Sequence, residues 1–213
     1  METCICKIYQ GNGTGFFCTI PYKNKNIKAL ITNKHVIDDT FIKENKNIKI
    51  TLNDDKEDKD IQINNNRKIY LNEKYDITII EIKKEDNINN FLELDENLFK
   101  TNSELFYKGN SIYTIQYPHF SKASVSYGVL TNINENDLFH LCCTDKGSSS
   151  SPILNLENKK VICIHKEGSI NFEFNIGTFA KNPILDFIEF CENKNNMKIM
   201  ENNNYLSQSH YEN

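Results

Sequence analysis

No stretch of this 213-residue sequence approaches the roughly 20 apolar residues that a membrane-spanning helix needs. The opening segment, METCICKIYQGNG, has no apolar core and no small-residue cleavage pattern, so it does not read as a secretory signal. Neither sign of charge dominates. A net charge of −4 gives no reason to expect nucleic acid or an anionic membrane surface as a partner. No Cys-x-x-Cys pair occurs. The tightest Cys/His groupings, Cys142-Cys143 and Cys163 with His165, lack the spacing of a structural zinc site, so no metal is expected. Seven cysteines are an odd number. Without a signal segment they read as free thiols in a reducing, cytoplasmic compartment.

What is present reads as a soluble globular chain, with 38% hydrophobic and 25% charged residues. Its length suffices for one sizeable core or for two small barrels packed together. Asn, Lys and Ile are abundant, which reads as coding bias. Apolar alternation predicts strands over residues 3–9, 15–20, 27–32, 48–52, 61–63 and 76–82, with a helical turn at 33–39 and a charged hairpin tip at 53–60. Residues 83–104 are polar and aperiodic and read as a connection. Strands are predicted again over 111–117, 124–133, 138–143, 152–155, 161–166 and 172–180. Asn182 and Pro183 suit a helix start, and Ile184, Leu185, Phe187, Ile188 and Cys191 recur at helical spacing. Residues 193–213 are Asn-rich and read as a loose polar tail.

The chemistry centres on Cys142 to Ile153, CCTDKGSSSSPI. A polar loop with Gly147 ahead of four serines can hold a hydroxyl outward and turn peptide N–H groups toward a developing oxyanion. A serine nucleophile also needs an imidazole and a carboxylate to orient it. His35 follows the apolar stretch ALITNK, and Asp76 heads the β-branched stretch DITIIEI. Asp38 and Asp39 follow His35 too closely to reach it from a neighbouring strand.

With the order His, Asp, Ser, the chain resembles the chymotrypsin-like serine peptidases over roughly residues 3–190. Phe16-Phe17 and ALITNKHVI resemble the strands leading to that family's histidine, whose segment reads TAAH where this chain has Thr32 to His35. YDITIIEI resembles its DIALL-type aspartate strand, and GSSSSP its GDSGGP loop. That register, three residues before Pro152, selects Ser149 as nucleophile. The resemblance implies an all-β fold of two packed six-stranded antiparallel β-barrels with a short C-terminal helix. The peptidase domain would cover 1–192, with barrel one at about 1–95, barrel two at about 105–180 and the helix at about 183–192. It implies His35 as general base, Asp76 as its orienting carboxylate, and the N–H groups of Gly147 and Ser149 as the oxyanion hole. No cofactor would be needed, the partners would be protein or peptide substrates, and the expected state is a monomer.

Within that family the nearer likeness is to bacterial glutamyl endopeptidases, whose loop reads GNSGSP and whose next strand reads like VIGIH. Here Val161 to His165 reads VICIH. The likeness implies a substrate pocket of Cys143, Thr144 and His165, with His165 receiving an acidic side chain and Lys146 and Lys166 adding positive charge. Two departures stand out. Ser148 occupies the place of the aspartate that digestive members pair with a newly cut N-terminus, and only 34 residues precede His35, so the chain is expected to need no N-terminal cleavage. Ser150 stands where the family has glycine. The alternative to an endopeptidase is a catalytically weak peptidase-fold module that binds extended peptides by strand addition.

Overall fold

The computed structural model describes residues 2–9, 11–169 and 173–208, with side chains through residue 194. Eight strands make the first sheet: β1 (Ile5–Ile8), β2 (Gly13–Tyr22), β3 (Lys25–Thr32), β4 (Asn47–Leu52), β5 (Glu57–Gln62), β6 (Ile69–Asn72), β7 (Ile77–Glu81) and the short β8 (Leu92–Glu93). Their order is β5-β4-β1-β2-β3-β7-β6, with β8 parallel to β2. This sheet curls into a half-barrel. Six more strands close a full barrel in the order β10-β11-β14-β13-β12-β9: β9 (Ser111–Gln116), β10 (Ser124–Asn134), β11 (Asp137–His140), β12 (Pro152–Asn155), β13 (Val161–Gly168) and β14 (Asn175–Phe179). The chymotrypsin-like architecture expected from the sequence is present, with the first unit open rather than closed.

The apolar runs of β2, β3 and β7 are explained by burial on both faces. Phe17, Leu30 and Ile80 point into the half-barrel with Ile8, Ile50 and Ile61. Their chain neighbours Phe16, Ile31 and Ile79 join the larger core shared with Ile112, Ile153, Ile162 and Phe179 of the second barrel. Successive strand side chains point to opposite faces, so a strand caught between two cores must be apolar throughout. By contrast, β10 keeps Val125, Tyr127 and Val129 exposed.

Several boundaries differ from the sequence reading. The charged segment 53–60 is half turn and half strand: residues 53–56 turn, and Glu57 begins β5 with its charges facing outward. β6 and β8 were not anticipated. The final strand is Asn175–Phe179, and Phe172 lies outside the described residues. The last helix runs Lys181–Gln208, beyond the expected stop near 192, so most of the expected tail is helical and residues 209–213 lie outside the described residues. Asn182 sits inside this helix and is not its cap. Its amide instead donates to Asn136 Oδ1 at 2.7 Å. Two short helices, Asp39–Glu44 and Glu104–Tyr107, lie in connections. Among the described residues no helix is long and apolar enough to cross a membrane.

Candidate active site

Antiparallel pairing brings two expected residues together. β3 pairs β7 with Thr32 opposite Thr78, so the segment leaving β3 lies beside the segment entering β7. His35 stands on the first and Asp76 on the second. After Thr32 the chain makes one helical turn, with Val36 and Ile37 donating N–H to Asn33 O at 3.2 and 3.1 Å. Before β7, Asp76 closes a turn by donating N–H to Glu73 O at 3.1 Å. Its φ of 49° lies in the left-handed region, which Asp tolerates better than most residues. Asp76 then holds His35 twice: Oδ2 lies 2.6 Å from the ring Nδ1, and Oδ1 accepts the His35 backbone N–H at 2.9 Å. Lys34 pairs with Glu73 across the same two segments.

The serine loop hangs between β11 and β12. Among its four serines, Ser148, Ser150 and Ser151 are fully buried, and only Ser149 is partly open. Ser149 lines a cleft of about 630 Å³ together with His35, Asp76, Thr144 and His165. Gly147 adopts φ +90°, and a Cβ there would stand 2.7 Å from Tyr117 O, so both backbone and space demand glycine. Ser148 is held by neutral bonds: its N–H donates to Asp145 O at 2.9 Å and its Oγ accepts the Asp145 N–H at 3.1 Å. The loop is fastened to the half-barrel by Thr14. Its N–H donates to Ser149 O at 2.9 Å, and its hydroxyl donates to Gly147 O at 2.8 Å.

At the far wall, the Thr144 hydroxyl donates to Asn175 Oδ1 at 3.0 Å, and Asn175 Nδ2 donates to Cys142 O at 2.7 Å. Asn175 was not anticipated. It heads the last strand, opposite both His140 and Gly168, a place that barrel closure sets and no sequence signal marks. His165 is almost fully buried, and its Nδ1 lies 3.3 Å from Nε2 of His140, a second buried imidazole that the sequence reading missed. Burial pushes both rings down from the usual imidazole range, His140 to about 4 and His165 to about 3. Cys143 is exposed and stands outside the residues lining the cleft. The positive charge expected there is offset, since Asp145 and Glu167 share the cleft with Lys146 and Lys166, and Lys166 lies 3.5 Å from Asp137. Among the described residues no cluster of ligands suits a metal ion.

The profile of the trypsin-like peptidase domain matches residues 13–164, from the start of β2 to midway along β13. The chain belongs to the trypsin-like peptidase family. Solved structures of similar fold include a Glu endopeptidase, at 19% identity over 89% of this chain and 90% of that one with a TM-score of 0.65. A serine endoprotease from Yersinia pestis is 14% identical over 88% of this chain and 64% of that one, with a TM-score of 0.64. No curated protein sequence matches significantly. The trypsin-like fold makes protein or peptide chains the natural substrate class, and its strand pairs account for the geometry above.

Proposed function

We propose that this trypsin-like peptidase is a serine endopeptidase in which Ser149, His35 and Asp76 act as a triad. The observation that carries the reading is the double hold of Asp76 on His35. It fixes the ring with Nδ1 toward the carboxylate and leaves Nε2 for the cleft that Ser149 lines. In the first step Ser149 Oγ attacks the scissile carbonyl carbon as its proton passes to His35 Nε2. The tetrahedral oxyanion is received by the N–H groups of Gly147 and Ser149, neither of which donates to a protein acceptor among the described residues. Collapse breaks the C–N bond, and His35 returns the proton to the leaving amine. A water molecule, deprotonated by His35, then attacks the acyl ester and regenerates Ser149 Oγ–H. Asp76 stays ionised and stabilises the imidazolium.

An acidic side chain before the scissile bond is the preference that the pocket favours. A hydrogen on His140 Nε2, donated to His165 Nδ1, leaves the unpartnered His140 Nδ1 as a bare acceptor, which is less costly than a buried orphan N–H. That choice puts the His165 hydrogen on Nε2, available to a substrate carboxylate in the cleft. With Thr144 already donating to Asn175, the imidazole is the main neutral donor. The similar fold of a Glu endopeptidase agrees with this reading.

Fluorophosphonate labelling of wild type beside Ser149→Ala tests the triad, because labelling requires an activated serine. Labelling of wild type alone, with cuts after Glu or Asp in a denatured protein, is the expected result. Labelling with cuts after Lys or Arg would discard the acidic pocket. A folded wild type that never labels would leave the peptide-binding module as the better description.

A further inference from the structure

Ser150 occupies a place where a side chain has no obvious right to be. Its φ is 71°, in the region that favours glycine, and it is fully buried. A hydroxyl has one donor and two acceptor sites, and all three are used here. Ser150 Oγ accepts from the Thr32 hydroxyl at 2.9 Å and from the Asn33 backbone N–H at 2.7 Å, and it donates to Asn33 Oδ1 at 2.9 Å. With Oδ1 so occupied, Asn33 turns its Nδ2 to donate to Asp76 O at 3.0 Å. One hydroxyl therefore joins three segments: the loop that carries Ser149, the turn that carries His35 two residues after Asn33, and the turn that carries Asp76. The backbone beside it is held as well, since Ser150 N–H donates to His165 O at 2.8 Å.

We propose that Ser150 is a positioning residue, whose hydroxyl sets the register of Ser149 against His35 and Asp76 across the two units of the fold. The proposal rests on the triad reading. The physical argument is that a nucleophile and its base on separate units need a link to hold the attack distance. A misplacement of about 1 Å can cost on the order of 100-fold in rate. Deleting the hydroxyl frees the Asn33 amide, and with it the contact to Asp76. Glycine at 150 removes the link while relaxing the backbone, so the Ser150→Gly protein should remain folded.

The test measures kcat and KM for a peptide substrate, normalised to the sites titrated by a fluorophosphonate, in wild type, Ser150→Gly, Ser150→Ala, Thr32→Val and Thr32→Ser. A role confined to stability would lower the number of titratable sites and leave kcat per site alone. The expected result is a fall in kcat per site of about 10- to 100-fold for both Ser150 variants, with KM within about twofold. Thr32→Val should fall less, and Thr32→Ser, which keeps the donor, should recover most of the rate. An unchanged kcat per site in Ser150→Gly would overturn the positioning role while leaving the triad intact. Failure of wild type to label, as Ser149→Ala should fail, would overturn the triad reading and the positioning role together.

Discussion

His165 and His140 are two imidazoles with almost no water around them, packed ring against ring at 5.4 Å between centroids. Desolvation disfavours the protonated form of each, and each ring would repel a charge on the other. The consequence for stability follows from proton linkage. In the unfolded chain a histidine takes up its proton near pH 6.5, whereas in the fold His140 and His165 resist protonation down to about 4 and about 3. Between those limits the unfolded state binds more protons. The stabilisation is complete above pH 6.5 and is lost as pH falls toward the folded values, at a cost of a few kcal/mol for each ring. Melting temperature should therefore drop steeply from pH 6.5 to 4. The drop should be shallower in His140→Gln, which removes one of the two titrating groups. An acid limb of equal slope in both proteins would contradict this assignment.

The residues that sequence alone could single out are those defined by a local signature. His35 follows an apolar strand, Asp76 precedes one and Ser149 lies in a glycine-led serine loop, in a fixed order. Choosing Ser149 among four neighbours needed the family register, and the structure adds a physical reason: the other three hydroxyls are buried. His140 and Asn175 carry no such signature. Their relevance arises from barrel closure, which sets β11 and β14 side by side, and no spacing along the chain announces it.

At the level of elements, strands with apolar or alternating runs were legible, even the four-residue β12, whereas β6 and β8 were not. β6 spans four residues and β8 two, and each depends on one neighbour, β6 on β7 and β8 on β2. The same dependence explains two glycines. Gly128 lies so close to the serine loop that a Cβ would stand 2.5 Å from Cys142 N. Gly177 leaves room for Cys163 Sγ, which a Cβ would meet at 2.3 Å. Cys163 in place of a family glycine is thus accommodated across the β13–β14 pair. Another device was invisible in the sequence. Arg67, ahead of β6, forms a two-pronged ion pair with Asp86 at 2.7 and 2.9 Å, and both side chains are almost wholly buried. Asp86 also accepts the Lys83 N–H at 2.7 Å, which fastens the connection leaving β7. Removing one partner strands the other charge away from water. Arg67→Ala should lose about 3–5 kcal/mol of unfolding free energy in denaturant titration. Exchange of an exposed ion pair such as Lys23–Glu192 should change it little.

For the whole molecule, the joint between units is distributed. The C-terminal helix follows the second barrel but packs on the first sheet, with Phe187 and Phe190 against Tyr70 at 5.9 and 5.5 Å between ring centroids. Leu94 bridges to Val161 from the connection, and Thr14 grips the serine loop. Neither unit could be excised without exposing a shared core. The two-unit plan was legible because each half carried its own run of strands; the return of the last helix was not, because its apolar face does not say which surface it will cover.

Burial also sorts the thiols. Cys4, Cys6, Cys18, Cys142, Cys163 and Cys191 are enclosed, and desolvation raises each above the usual thiol range, whereas Cys143 faces solvent. Since the thiolate is the reactive form, native protein should take up one equivalent of a maleimide, at Cys143, and seven after denaturation. Two or more fast equivalents in the native state would contradict the burial pattern. Cys143 is the residue before Thr144, which lines the cleft. The chain thus carries a built-in attachment point for a dye at the rim of the candidate active-site cleft, and occupancy of the cleft could be followed as a change in light emission without substituting a single residue.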